Sequence, residues 1–192
     1  MRATSSPTGQ VVYRNQFTGS GAVPFGNGLA KDRWIVINEL LSHSHDDPGN
    51  VGTDWIELYN TTPDPIHIGG WFLSDSNADD PNRMKYQIAE DTTIEGNGYK
   101  LFRQELNFGT KSDPGCHTMF ALSEGGETVY LRSGLASALT GYMAEQAFDA
   151  AESGVAFGRH LKSAQDGGGM DFVAMEHNTP NELNSGPKVG PI

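Results

Sequence analysis

The sequence predicts an all-β protein built as an antiparallel sandwich of two sheets. From Trp34 onward, short apolar runs of strand length alternate with Gly, Pro, Asn or Asp, which is typical of antiparallel strands joined by turns. The chain has 24 Gly and 10 Pro in 192 residues, so turns are frequent, and 36% of its residues are hydrophobic. Strands of this kind, each with one buried face, share a core between two sheets.

The sandwich is predicted to span residues 34–184. Residues 1–33 are predicted to be an N-terminal extension with one candidate strand at 11–17, and residues 185–192 a C-terminal linker. The candidate strands of the sandwich that precede residue 135 are 34–41, 54–60, 65–74, 84–89, 99–103, 119–122 and 128–132. Two more follow at 155–159 and 171–175.

The segment 135–153 fits two structures. It is rich in Ala, and a helix would place Leu139, Met143 and Ala147 on one face, so propensity favours a helix. The alternative is a strand through the residues Tyr142, Ala144, Gln146 and Phe148. Both remain open from the residues alone.

The charge excludes one class of partner. The net charge is −11, from 24 acidic and 13 basic residues, and residues 38–80 contain no Lys or Arg. Binding to nucleic acid depends on Lys and Arg that contact phosphates, so no nucleic-acid partner is expected. A membrane helix needs about 18 consecutive apolar residues, and no such run exists, so no membrane insertion is expected either.

An ordered series of motifs resembles the lamin tail domain family. The series begins with Ile37-Asn38-Glu39, the run 54–60 (DWIELYN) and the run 70–75 (GWFLSD). It continues through 86–94 with Gly98-Tyr99, 120–123 with 126–131, 154–159, and Thr179-Pro180-Asn181. The resemblance covers about residues 34–184. It implies an immunoglobulin-like β-sandwich and favours a strand at 142–148.

The resemblance also implies a function. Bacterial domains that resemble this family are usually repeated or attached to other domains in secreted chains, so we expect an extracellular or cell-surface location. The expected role is a non-catalytic module for adhesion, assembly or targeting in a larger multidomain protein, with a protein or polysaccharide partner. Residues 189–192 resemble the approach to another strand like 34–39, which predicts a tandem unit.

Glu57 is the first candidate site residue. On a strand, alternation places Trp55, Glu57 and Tyr59 on one face, so a carboxylate stands between two aromatic rings. A carboxylate on an apolar face must be paired, hydrogen-bonded or bound to a cation. The candidates for this compensation are an ion pair with Arg159, a position matched through the resemblance, or a metal ion shared with Glu39 and Asp54.

A second acidic group predicts calcium. Asp75, Asn77 and Asp79 have the spacing of the first oxygen ligands of an EF-hand loop, although Asp80 replaces the turn glycine and Tyr86 the final glutamate. Since this is no EF-hand, the alternatives are a looser calcium loop or a turn capped by its own side chains. Calcium is the cofactor predicted for these three residues together with Glu39, Asp54 and Glu57.

Two further residue groups define rival functions. His43 and His45, followed by Asp47, match the opening of a metallohydrolase motif, but Pro48 stands where the next His belongs, and a polar loop is the alternative. Three tryptophans are predicted to be core, namely Trp34, Trp55 and Trp71. Were they exposed beside the acidic loop, they would indicate a calcium-dependent carbohydrate-binding module.

The sequence contains no other recognisable catalytic motif. Cys116, the single cysteine, lies in an Asp-Pro-Gly turn beside His117 and is predicted to be a small structural residue. The chain lacks a nucleophile elbow and a phosphate-binding glycine loop. The sequence therefore predicts that the protein is not an enzyme.

Overall fold

The structure of the protein is a computed structural model that describes residues 34–42, 54–77, 79–150 and 152–190, together with the backbone of strands between 2 and 14 and between 46 and 51. The strands are β1 (Arg2–Ser5), β2 (Val11–Arg14), β3 (Ile35–Leu41), β4 (Asp46–Asp47), β5 (Asn50–Val51), β6 (Trp55–Asn60), β7 (Ile66–His67), β8 (Phe72–Ser74), β9 (Tyr86–Gln87), β10 (Thr93–Ile94), β11 (Tyr99–Arg103), β12 (Gly126–Leu135), β13 (Ala138–Asp149), β14 (Phe157–Leu161) and β15 (Met170–Ala174). A 3-10 turn spans Ala164–Asp166.

Two sheets form the body of the fold. The five-stranded sheet has the order β11-β6-β3-β14-β15, and the four-stranded sheet has the order β13-β12-β8-β9. Three two-stranded ribbons, β1-β2, β4-β5 and β7-β10, complete the described pairings, and every pairing is antiparallel. The prediction of an all-β, immunoglobulin-like sandwich is confirmed. In the part of the chain that is described, no helix is long and apolar enough to cross a bilayer.

The core lies between the two sheets and follows the predicted alternation. Ile56 and Leu58 of β6 are fully buried in the main core, whereas Trp55 packs on the other face of the sheet in a small cluster with Leu41 and Ala156. Trp71 joins the main core. With Trp55 and Trp71 buried and Trp34 packed against the core, the three tryptophans are core residues as predicted.

Residues 138–149 form a strand, so the helix suggested by propensity is wrong. Ala136 and Ser137 both have positive φ, 48° and 63°, which is the two-residue hairpin turn that matches strand twist. The turn connects β12 to β13, and the two strands pair from Gly126–Asp149 to Leu135–Ala138 with one irregularity between Arg132 and Gly134. Ala144 and Phe148 are buried while Met143 and Ala147 are exposed. Pairing and burial of alternate residues therefore outweigh the helix propensity of Ala.

Two predicted strands differ from the structure. The run 65–74 is broken into β7 and β8 by a turn in which Trp71 N–H donates to the Ile68 carbonyl at 3.1 Å and Gly70 has φ 78°. The run 119–122 joins no ladder, and its Leu122 N–H donates to the Asp54 carboxylate at 2.6 Å.

The C-terminal end of the predicted domain pairs with the sandwich. The segment 186–188, predicted to be linker, pairs with the end of β15: Glu176 N–H donates to Gly186 O at 2.9 Å and Lys188 N–H to Ala174 O at 2.8 Å. The predicted strand at 11–17 overlaps β2, and its remainder, like all of residues 15–33, lies outside the described residues.

A fully buried amide, Asn60, closes one end of β6. Its Nδ2 donates to the carbonyls of Asp64, Ile94 and Glu95 at 2.7–3.1 Å, and its Oδ1 accepts from the Thr62 amide and hydroxyl. One side chain thus joins the loop after β6 and the end of β10 to the five-stranded sheet.

We expect Asn60→Ala to lower the free energy of unfolding by about 2–4 kcal/mol, since it leaves buried carbonyls without donors. Chemical denaturation measures the change. Asn82→Ala, at an exposed position, is the matched control and should leave stability nearly unchanged. Equal stabilities of the two variants would contradict this role of Asn60.

Candidate functional site

Two buried glutamates face each other across β3 and β6. Glu39 and Glu57 are directly opposite in the antiparallel register, and neither side chain is exposed. A bulge between Ile37 and Glu39 shifts the register by one residue, so that Glu39 lies opposite Glu57 rather than opposite Ile56. The extra residue of the bulge is Asn38. Two like charges are thereby brought together on the face of the sheet that carries Trp55.

A turn near the C-terminus covers both carboxylates. Thr179-Pro180-Asn181-Glu182 is a β-turn in which Glu182 N–H donates to Thr179 O at 3.0 Å and Asn181 has φ 66°. Pro at the second position and Asn at the third suit a type II turn. The Thr179 N–H and hydroxyl donate to Glu39 at 3.0 and 2.8 Å, and the Asn181 N–H donates to Glu57 at 2.5 Å.

Two asparagines extend this polar cluster. Asn38 Nδ2 donates to Glu57 Oε1 at 2.8 Å and to Asn184 Oδ1 at 2.7 Å. Asn184 Nδ2 donates to the backbone carbonyls of Asn38 at 3.1 Å and Arg159 at 3.0 Å. We call Asn38, Glu39, Glu57, Asn184 and the turn 179–182 the carboxylate clamp. It attaches the C-terminal segment to the outer face of the five-stranded sheet.

The clamp perturbs the ionisation of both glutamates. Burial raises the pKa of Glu57 to about 7, the hydrogen bonds from Asn181 and Asn38 oppose the shift, and the charge of Glu39 adds to it. Burial also raises the pKa of Glu39, against the hydrogen bonds from Thr179. Donors on the turn therefore compensate part of the cost of burying two carboxylates.

Arg159, the predicted ion-pair partner of Glu57, lies in β14 beside the clamp. Its backbone carbonyl accepts the hydrogen bond from Asn184, and the residue lines a groove next to the clamp. The Glu57 carboxylate accepts hydrogen bonds from Asn38 and Asn181. The ion pair with Arg159 stays a prediction.

A groove of about 920 Å³ opens next to the clamp, where β14 separates from β3. The two strands pair only at Phe157–Leu40 and Gly158–Glu39, and beyond this point the Asn184 side chain lies between them. The apolar and aromatic lining consists mainly of Tyr59, Tyr99, Leu161, Met170, Phe172 and Leu183. The polar lining includes Asn38, Glu145, Gln146, Arg159, Asp171 and Asn184.

The groove has an aromatic pair at its wall. The rings of Tyr59 and Tyr99, which are neighbours in the β6–β11 register, have centroids 4.8 Å apart at an angle of 30°. Leu161 and Met170 are neighbours in the β14–β15 register. Leu161 is 68% exposed and Leu183 84% exposed, which is high for large apolar side chains.

The residues predicted to bind calcium fall into separate places. Glu39 and Glu57 are in the clamp, and Asp54 accepts the Leu122 N–H. Asp75 contacts the Lys85 ammonium, Asn77 Oδ1 accepts the amides of residues 79 and 80 in an Asx-type turn, and Asp79 is exposed. Among the described residues, no group of three or more His, Cys, Asp and Glu could hold a metal ion together. Calcium ligation stays a prediction.

The candidate hydrolase residues His43 and His45 lie outside the described residues, as does Pro48. Cys116 is a buried free thiol whose Sγ lies 3.4 Å from the Phe108 carbonyl. Its neighbour His117 is exposed.

Sequence reasoning missed the roles of Asn38 and Asn184 and the whole groove. The Thr-Pro-Asn sequence is a readable signal for a type II turn, but nothing in it shows that Glu39, 140 residues away, receives its hydrogen bonds. The groove depends on the divergence of two strands, which has no sequence signal.

The clamp unites the motifs Ile37-Asn38-Glu39, 54–60 and Thr179-Pro180-Asn181. A family model described as Lamin Tail Domain matches residues 30–144, well over half of the chain. The chain belongs to the lamin tail domain family. Comparisons with curated proteins and with solved structures gave no match. In this lamin tail domain, the clamp ties the matched region to residues 179–184, which lie beyond the match.

We expect Thr179→Val to destabilise the lamin tail domain by about 1.5–3 kcal/mol, the usual contribution of a hydrogen bond to a charged group. Valine keeps the shape and the backbone N–H but removes the hydroxyl that donates to Glu39. Thr179→Ser, which keeps the hydroxyl, is the control. Denaturant unfolding measures both, and a valine variant as stable as the serine variant would refute the role of the hydroxyl.

The raised pKa of Glu57 predicts a pH dependence of stability. The folded value, about 7, exceeds the ordinary 4.5, so the folded state binds more protons between these values. The contribution of Glu57 to the free energy of unfolding is therefore greatest below pH 4.5 and declines as pH rises to about 7. The slope cannot exceed about 1.4 kcal/mol per pH unit for one proton.

Glu57→Gln removes this titration, and we expect its stability to decline less over that interval than that of the wild type. Thermal or denaturant unfolding across the pH range measures both profiles. Glu176→Gln, at an exposed position, should retain the wild-type profile. Parallel profiles for wild type and Glu57→Gln would show that Glu57 has no shifted pKa.

Proposed function

We propose that this lamin tail domain is a non-catalytic binding module whose groove holds an extended segment of a partner protein. The observation that carries the proposal is the groove itself, which combines exposed aliphatic side chains and a tyrosine pair with amides on its polar side. Protein-binding sites commonly centre on aromatic and aliphatic anchors within a polar rim.

The apolar lining supports a protein partner. Leu161, Met170 and Leu183 are each at least half exposed and lie around one concavity, so an apolar side chain of a partner would remove their surface from water. Sugars bind chiefly to flat aromatic faces, and exposed aliphatic side chains contribute little to the binding of a sugar. The aliphatic content of the groove therefore favours a polypeptide over a polysaccharide.

The charge of the groove indicates which residues of a partner segment would flank its apolar anchor. Glu145 and Asp171 line the groove together with Arg159, Asp171 pairs with Lys162 at 3.7 Å, and the whole chain carries a net charge of −11. A partner segment with Lys or Arg beside its apolar anchor is complementary to this surface, and opposite charges also speed association. The clamp holds Leu183 and Asn184 in place through the hydrogen bonds of Asn184, so little ordering is needed on binding.

The setting of the module remains a proposal that rests on the family resemblance. We place it in a larger secreted bacterial protein, at an extracellular or cell-surface location, where adhesion, assembly or targeting would use such a groove. Calcium bound at the acidic loop 75–80 would be compatible with this role, since the groove lies elsewhere.

Selection from a random peptide library against the purified domain tests the function. We expect enriched peptides to share an apolar anchor flanked by Lys or Arg, and Leu161→Asp or Leu183→Asp to weaken their binding at least about tenfold, or about 1.4 kcal/mol. Leu106→Asp, at a position 63% exposed that does not line the groove, is the control and should bind normally.

Three results would contradict the proposal. One is the absence of enriched peptides, and a second is peptide binding that persists in both groove variants. The third is binding on a glycan array that both groove variants abolish, because it would assign the groove to a polysaccharide instead.

A further inference from the structure

Three chemically complementary side chains lie on or next to adjacent strands of the four-stranded sheet, away from the groove. Asp75 directly follows β8, Lys85 directly precedes β9, and Glu127 is the second residue of β12. The strand order β12-β8-β9 places β8, which leads into Asp75, between the other two strands. This region of the sheet thus carries a lysine, a carboxyl group that can acylate its amine, and a second carboxyl group that can carry protons.

The Lys85 ammonium contacts Asp75 Oδ1 in a largely enclosed site. The two side chains are 16% and 18% exposed, whereas the Lys162–Asp171 pair at the surface is 37% and 50% exposed with its atoms 3.7 Å apart. The buried Phe120 ring lies 5.8 Å from Lys85 Nζ and stacks on Phe108. The ion pair is therefore held away from bulk water, beside aromatic rings.

We propose that Lys85 and Asp75 are joined by an intramolecular isopeptide bond, and that Glu127 transfers the proton in its formation. The backbone holds both partners: the carbonyl of Lys85 accepts hydrogen bonds from the amides of His117 and Thr118, and Asp75 continues directly from the paired strand β8. Contact held in this way raises the effective concentration of amine and carboxyl far above that of free reactants.

The chemistry balances without an oxidant or a cofactor. A proton passes from the Lys85 ammonium to the Asp75 carboxylate, and the neutral amine then attacks Cγ of the acid. The new N–C bond forms, the C–OH bond breaks, and the hydroxyl leaves as water with the proton that the nitrogen releases. Glu127 gives a proton to the departing oxygen and receives one from the nitrogen, so it is regenerated.

The surroundings of Glu127 suit proton transfer. Burial raises its pKa, the Ser123 amide and Lys85 oppose the shift, and the charges of Asp75 and Asp54 add to it. Its Oε1 accepts the Ser123 N–H at 2.7 Å, which holds the carboxyl group in place, and its strand β12 pairs with β8, the strand that Asp75 directly follows. A glutamate that retains its proton above the ordinary range can donate it to a leaving oxygen.

Intact-mass spectrometry of the purified domain tests the bond. We expect the wild type to be lighter than its sequence by one water molecule, and peptide mapping to recover a branched peptide that joins Lys85 to Asp75. Lys85→Arg and Glu127→Gln should have the full sequence mass. Lys162→Arg, which alters the exposed pair, should still lose one water.

Asp75→Asn provides a second, independent signature. An asparagine would lose ammonia instead of water, so this variant should reach the same final mass as the wild type although its sequence mass differs. Full sequence mass in folded wild-type protein after long incubation at neutral pH would overturn the proposal and leave an ordinary ion pair. Complete bond formation in Glu127→Gln would overturn the role of Glu127.

Discussion

The burial of two facing carboxylates is the constraint on which the rest of this structure depends. Glu39 and Glu57 lie opposite each other with no exposed surface, and such a pair is strongly unfavourable without donors. The donors come from the bulged Asn38 and from the turn 179–182, so the C-terminal segment must cross the outer face of the five-stranded sheet. Motifs more than a hundred residues apart therefore act as one structural unit, and the end of the domain is attached both by these hydrogen bonds and by the backbone pairing of residues 186–188 with the end of β15.

The same cluster shapes the groove. Asn184 donates to carbonyls on both β3 and β14 at the point where their pairing ends, so one side chain replaces ladder hydrogen bonds and keeps the strands apart. Its neighbour Leu183 is consequently held at the groove wall. Since Asn38 and Asn184 belong to both the clamp and the groove, a change in the ionisation of Glu57 would alter the hydrogen bonding of Asn38, which also lines the groove.

The sequence predicted features that depend on local pattern and not those that depend on distant contacts. Alternation along β6 correctly separated Ile56 and Leu58 from Trp55, because a strand has period two wherever it lies. Propensity failed for β13, because the hairpin turn at Ala136-Ser137 uses positive φ without the glycine or asparagine that signals it. The clamp was beyond prediction because the bulge at Asn38 changes which residue faces Glu57.

The acidity of residues 38–80 has a partly structural origin. Glu39, Glu57 and Asp54 are buried and accept hydrogen bonds from backbone amides, so their charges complement the domain's own donors. A calcium ion at Glu39 and Glu57 would need the same oxygens that bind Thr179 and Asn181. Calcium binding at these two glutamates and attachment of the C-terminal segment would therefore compete for the same oxygens. An ion at the clamp would release the segment that holds Leu183 at the groove. Asp79, which is exposed, carries no such conflict.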